Sequence, residues 1–259
     1  MLNYKLTIAY DGTNYGGWQI QPNATTVQEL LQNALHVILK EKINIIGAGR
    51  TDAGVHALEQ IANFKFAQKL DLHRLQGSLN GLLPIDIRVK RIDAVPLDFH
   101  SQYSAISKTY HYHLHLDRVL NPFHRLYRLH VLEHIDPVRL KKGAKLFLGT
   151  HDFTSFANEA HTGTASHDPI RTLTRLDVCE QDGGLRLEFE GDGFLYKMVR
   201  NIVGTLLEIA AGKRTCEEIP AIFAAKDRKK AGRAAGPKGL FLVKVDYPMA
   251  LSGIESKVE

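Results

Sequence analysis

The chain has 259 residues, 44% of them hydrophobic and 24% charged, and a net charge of +5 at pH 7. That length allows one large domain or two of ordinary size with a real core, and the basic balance suits a polyanionic partner without proving one. The two cysteines, Cys179 and Cys216, are too far apart for a metal motif or a disulfide framework, which fits a reducing cytoplasm. No apolar run approaches the ~20 residues of a membrane helix. Met1-Leu2-Asn3-Tyr4-Lys5 has neither the apolar core nor the cleavage site of a signal peptide.

In chain order, Tyr4, Leu6, Ile8 and Tyr10 alternate with Lys5, Thr7 and Ala9, the pattern of a half-buried strand. The glycine-rich loop Asp11–Gln19 follows and carries the only tryptophan, Trp18, which reads as a core anchor. Thr26 and Glu29 form a capping box, and the helix they open puts Val27, Leu30, Leu31, Ala34, Leu35 and Ile38 on one face. Ile43 and Ile45-Ile46 read as a strand and Leu58 to Phe66 as another, joined by Gly47-Ala48-Gly49-Arg50-Thr51-Asp52-Ala53-Gly54-Val55-His56-Ala57. A short helical pattern at 70–75 is broken before Pro84, and Ile85, Ile87 and Val89 lie along a further strand. Strand, helix, strand, strand, short helix, strand implies an α+β domain with helices on one face of a mainly antiparallel sheet.

The second half opens on a strand through Lys108-Thr109-Tyr110-His111-Tyr112-His113-Leu114-His115. Asp136-Pro137 reads as a helix start and Gly149 as its stop, with Lys141, Lys142 and Lys145 on a solvated face. Residues 154–170 read as a long mobile loop. A hairpin about Asp182-Gly183-Gly184 joins strands at 173–179 and 185–190, and Asp192-Gly193-Phe194 reads as opening a helix that runs to Ile209 and ends at Gly212. The basic run 226–233 reads either as a solvated loop or as an RNA contact. A last strand spans 240–245, and residues after 250 read as a frayed tail. Strand, Asp-Gly, helix occurs in both halves, which points to two related halves about a pseudo-twofold.

The loop holding Arg50 and Asp52 is the chemical centre of this pattern. Glycine lets other groups approach the backbone closely, and a nearby guanidinium favours the ionised form of a carboxylate, which can then act as a nucleophile or base. It is not a dinucleotide fingerprint, since Asp52 occupies the third glycine position, and no phosphate-binding P-loop motif is present. The eleven residues Gly47–Ala57 resemble the signature of the tRNA pseudouridine synthase A family. Tyr10-Asp11-Gly12 with Gly17-Trp18-Gln19, Lys108-Thr109-Tyr110-His111-Tyr112, Phe194 to Gly204, and Gly239 to Pro248 follow in family order.

That resemblance implies two similar domains, 1–105 and 106–259, whose sheets form one continuous sheet with a central basic active-site cleft. It implies isomerisation of uridine to pseudouridine at positions 38–40 of the tRNA anticodon stem-loop by a cytoplasmic homodimer. It casts Asp52 as the catalytic residue, with Tyr110, Arg50 and Arg200 binding substrate and Arg200 as ionic partner of Asp52. No cofactor or metal is implied, because the reaction is redox-neutral and internal to the substrate. The chain departs from the family pattern at Ser101 and Gln102, where alanine and arginine are usual, which puts one phosphate contact in question. Two other readings compete. His111, His113 and His115 share one strand face and have zinc-ligand spacing, as a metal-dependent hydrolase would need. A non-catalytic RNA-binding sheet-and-helix protein is the other, and only the Arg50–Asp52 loop argues against it.

Overall fold

The computed structural model describes residues 1–158 and 168–251, in two compact units. Of the described residues, the first comprises Met1–Ser107 and Leu242–Leu251, the second Lys108–Phe241.

The first unit runs β1 (Leu2–Tyr10), α1 (Val27–Leu39), β2 (Ile46–Gly47), β3 (His56–Phe66), α2 (Leu72–Leu82) and β4 (Ile87–Val95). β1 lies between β3 and β4, antiparallel to both, with Leu6 opposite Ala62 on one side and Ile92 on the other. That central place buries Tyr4, Leu6 and Ile8 and also Asn3, Lys5 and Thr7, so the strand is buried on both faces and not half-buried as its alternation implied. The polar face is satisfied locally. The Asn3 side chain donates to the Pro96 and Phe99 carbonyls at 3.0 and 2.9 Å, and Lys5 pairs with Asp93 at 3.4 Å. The Thr26 N-cap forms as read, its side chain accepting from the Glu29 N–H. The Ile43–Ile46 strand shrinks to two paired residues, because Gln28 and Gln32 side chains take the Ile45 backbone groups. α2 is longer than the 70–75 pattern; Asp71 caps it by accepting from the Arg74 N–H.

The second unit holds β5 (Ser107–His115), β6 (Leu129–His130), α3 (Pro137–Lys145), β7 (Gly149–Asp152), β8 (Ile170–Gln181), β9 (Gly184–Gly191), α4 (Met198–Ala210) and α5 (Glu218–Ala225). β5, β9, β8 and β7 pair antiparallel in that order, and β6 adds a short parallel pairing to β5. α4 starts later than Asp192-Gly193 implied. Asp192 accepts from the Thr172 N–H at 3.0 Å instead of capping a helix, and Lys197 takes a left-handed φ of 60° just before the first turn. α5 had no sequence signal, since it is one short stretch with Pro220 in its first turn, where proline is tolerated. The last strand, β10 (Leu240–Asp246), continues into the first unit, where it neighbours β3. Both units are α+β. In both, a strand leads through Asp-Gly to a helix: β1, Asp11-Gly12 and α1; β9, Asp192-Gly193 and α4.

The readings of 159–167 as loop and of residues beyond 251 as tail fall outside the described residues. At the described start of that loop, Ser155 and Phe156 are core. Phe156 is fully buried and packs with Phe147, Phe153 and Phe223, ring centroids lying 4.9 to 6.3 Å apart. Among the described residues no helix is long and apolar enough to cross a membrane. Truncating a fully buried aromatic ring removes its transfer free energy and leaves a cavity, so Phe156→Ala should lower the unfolding free energy by about 3–5 kcal/mol. Urea denaturation followed by circular dichroism checks this; an unchanged midpoint would show that the ring is not core.

Candidate active site

The Asp52 loop is held by backbone contacts with the glycine-rich loop after β1. The Trp18 N–H donates to the Thr51 carbonyl at 3.1 Å and the Gly54 N–H to the Tyr15 carbonyl at 3.3 Å, while Val55 N–H closes a turn onto the Asp52 carbonyl at 3.1 Å. Gly17 has φ 94° and lies so close that a Cβ there would overlap the Thr51 carbonyl oxygen. Gly12 meets Val55 in the same way. Trp18 is 1% exposed, stacks on Tyr10 at 6.2 Å and lays its indole over Gly47, so it is the core anchor the sequence implied.

Side chains add further ties. The Tyr10 and Thr51 hydroxyls share a hydrogen bond of 2.8 Å, and burial pushes the Tyr10 phenol far above its usual range. Gln60 donates to the Gly49 carbonyl at 2.9 Å, and His56 Nδ1 lies 3.0 Å from Asp11 Oδ1. On this frame Asp52 is half-buried and Arg50 exposed. These supports were missed as functional residues. Residues 10–19 stood out only as a loop in family order, Thr51 and His56 only as members of the Gly47–Ala57 motif, and Gln60 only as a strand residue.

Tyr110 and Arg200 belong to the second unit. Tyr110 is 7% exposed, sits opposite Phe189 in the β5–β9 ladder and meets the Phe194 ring edge-on at 4.9 Å. Lys108, two residues earlier on the same strand, is lowered to about 8, by burial first and then by the Arg171 charge. Arg200 is half-buried on α4; its Nε donates to the Ala235 carbonyl at 2.8 Å, and the Ala235 N–H returns a bond to the Arg200 carbonyl at 2.9 Å. Next to it, Asn201 is fully buried and donates to the Phe156 carbonyl and Asn158 Oδ1 while accepting from Arg228.

The basic run is partly structural. Arg228 is bound to Asn201 at 2.8 Å, and the backbone of 232–235 straps α4 through Thr205, Glu208 and Arg200. Lys229, Lys230 and Arg233 remain exposed. Ser101 is also structural, its hydroxyl donating to the Ile46 carbonyl at 2.6 Å, and Gln102 is exposed.

The three strand histidines have separate engagements. His111 faces Glu188 at 3.9 Å, His113 shares a hydrogen bond with Gln181 at 2.9 Å, and His115 Nε2 lies 2.9 Å from the Val119 carbonyl. Among the described residues no group of three or more His, Cys, Asp or Glu side chains is placed to hold a metal ion. The zinc-hydrolase reading loses its site.

Known proteins bear on this arrangement. A family model described as tRNA pseudouridine synthase matches residues 6–104 and 144–248. The chain is similar to a protein named tRNA pseudouridine synthase A 1 from Protochlamydia amoebophila, at 64% identity over 94% of this chain and 96% of the relative. It is also similar to proteins named tRNA pseudouridine synthase A. The one from Chlamydia muridarum is 45% identical over 94% of this chain and 91% of the relative. The one from Acetivibrio thermocellus is 43% identical over 95% and 100%.

Burial lowers His113 from 6.5 to about 4 despite its bond to Gln181. The unfolded chain therefore binds this proton near pH 6.5 and the folded chain only near pH 4. Between those values the unfolded state holds more protons, so stability falls as pH drops through the window and is unaffected by His113 above it. A ring-proton NMR titration should place the His113 midpoint about two pH units below that of an exposed histidine. A midpoint near 6.5 would show the ring to be solvated.

Proposed function

The chain belongs to the tRNA pseudouridine synthase family, isomerases that act on RNA, and we propose that it converts uridine to pseudouridine at positions 38–40 of the tRNA anticodon stem-loop. The observation that carries this reading is the Asp52 loop: a half-buried carboxylate on a backbone pinned to a second, glycine-rich loop. A group that must meet one atom of a large substrate gains from being fixed before the substrate arrives.

In the reaction the N1–C1′ bond breaks, uracil turns in place, C5 joins C1′, and the proton leaving C5 is balanced by one taken up at N1. A carboxylate suffices, much as one captures an anomeric carbon in retaining glycosidases. The target base is stacked in its stem and must be extruded, at a cost of roughly a few kcal/mol. In this proposal Asp52 is the catalytic residue, and exposed Arg50 fills the vacated stack or holds phosphate. Tyr110 stacks on the extruded base, and Arg200 binds substrate. In sequence order the two halves are 1–105 and 106–259, the working form is a cytoplasmic homodimer with one tRNA touching both subunits, and no cofactor or metal is called on. The exposed Lys229, Lys230 and Arg233 suit a polyphosphate partner.

Release of tritium from tRNA carrying C5-labelled uridine tests the reaction. Asp52→Asn keeps the shape but removes the anionic oxygen, so turnover should fall by about three orders of magnitude or more while tRNA binding stays within about tenfold. Turnover near the wild-type rate would remove Asp52 from the mechanism. For Arg200→Met, kcat/KM should fall by about tenfold or more, equivalent to ~1.4 kcal/mol of lost transition-state stabilisation. An unchanged kcat/KM would place Arg200 outside substrate binding.

A further inference from the structure

The turn carrying Asp52 is fixed on both sides by the residues that end β1. Upstream, Thr51 is bonded to Tyr10 at 2.8 Å. Downstream, His56 is 1% exposed, and its Nδ1 lies 3.0 Å from Asp11 Oδ1 and 3.1 Å from the Gly12 N–H. Between His56 and Asp52 there is only the turn closed by the Val55 N–H on the Asp52 carbonyl.

We propose that His56, held through Nδ1 by Asp11 and Gly12, is a positioning residue for Asp52. The inference rests on the synthase reading above. A protonated Nδ1 donates to the Asp11 carboxylate, and an unprotonated Nδ1 accepts from the Gly12 N–H, so the same atom ties 11–12 to 56 in either state. At the same end of the loop Gly12 approaches Val55 too closely to admit a Cβ. Asp11 is itself oriented, its Oδ1 accepting from the Thr13 N–H and hydroxyl at 3.0 and 2.5 Å. Loss of the tie lets the downstream end of the turn move while Thr51 stays anchored, which shifts the carboxylate without changing the RNA-binding surface.

The test uses the side-chain atom that is claimed to matter. Asparagine places its amide atoms where Nδ1 sits and can donate or accept there; glutamine reaches one bond further, toward the position of Nε2. His56→Gln should lower kcat on tRNA by about tenfold to a hundredfold, the scale of a small misplacement of a reacting group, with KM within about threefold. His56→Asn should keep kcat within about threefold of wild type. Amide hydrogen exchange of residues 48–55 should quicken in His56→Gln and stay slow in His56→Asn. Where a melting curve shows His56→Gln unfolded, Asp11→Ala breaks the same tie from its solvent side and should show the same loss in kcat alone. Equal behaviour of the Gln and Asn variants, whether normal or impaired, overturns the proposal, as does a loss confined to KM. A wild-type protein without synthase turnover would sink the functional reading instead, and the exchange comparison would then decide on the positioning role by itself.

Discussion

The first unit depends on one close approach, that of Gly17 to the Thr51–Asp52 backbone. With a φ of 94° and no Cβ, Gly17 lets two loops meet at main-chain distance, so that the Trp18 N–H reaches the Thr51 carbonyl. Any side chain at Gly17 would hold the loops apart and break that bond. The approach also decides how the burial of Trp18 is used. The indole covers Gly47 at the start of the Asp52 segment, so packing energy from the largest core side chain presses the loop into place.

The order spreads outward through buried amides. Gln28, on the first turn of α1, accepts from the Ile20 N–H and donates to the Ile45 carbonyl, joining helix, loop and β2 approach in one residue. Asn201 has the equivalent task in the second unit, tying α4 to the turn after Phe153 and to Arg228. A buried amide left unpaired would cost several times what each bond contributes, so these residues fix unique loop positions as much as they add stability. That is why loops, which are ordinarily the mobile parts of a fold, can hold the Asp52 carboxylate in one place here.

Much of this was legible in the sequence, and the reasons for the rest are physical. The Thr26 N-cap of α1, the β5 alternation and the 182–184 hairpin follow from local rules, and each formed. β1 misled because alternation marks a half-buried strand only when one face meets water; as the middle strand, with Asn3 and Lys5 given partners from β4 and the segment after it, it is covered on both sides. Asp192 misled because an Asp-Gly pair can cap a helix or tie a strand end, and the Thr172 backbone won. Asp52 and Arg50 stood out through their motif. Of the residues that hold them, His56 lies in the motif itself, while Tyr10, Asp11 and Gln60 lie outside it, and the register of β1 against β3 brings these near.

Charge shows the same division between what a sequence lists and what a fold uses. The run 226–233 contains five cations that look alike in sequence. Arg228 is spent on Asn201, and burial lowers its guanidinium below the ordinary value, while the backbone of 232–235 is bound to α4. Of the exposed cations, Arg233 is thus carried on that strap, and Lys229 and Lys230 on a turn whose backbone N–H groups are bound to Asp227. Exposed cations on a mobile tail gain affinity for phosphate at the cost of ordering the tail, whereas cations on a fixed backbone have already met that cost in folding. A basic patch of this kind can set the orientation of a polyanion as well as attract it.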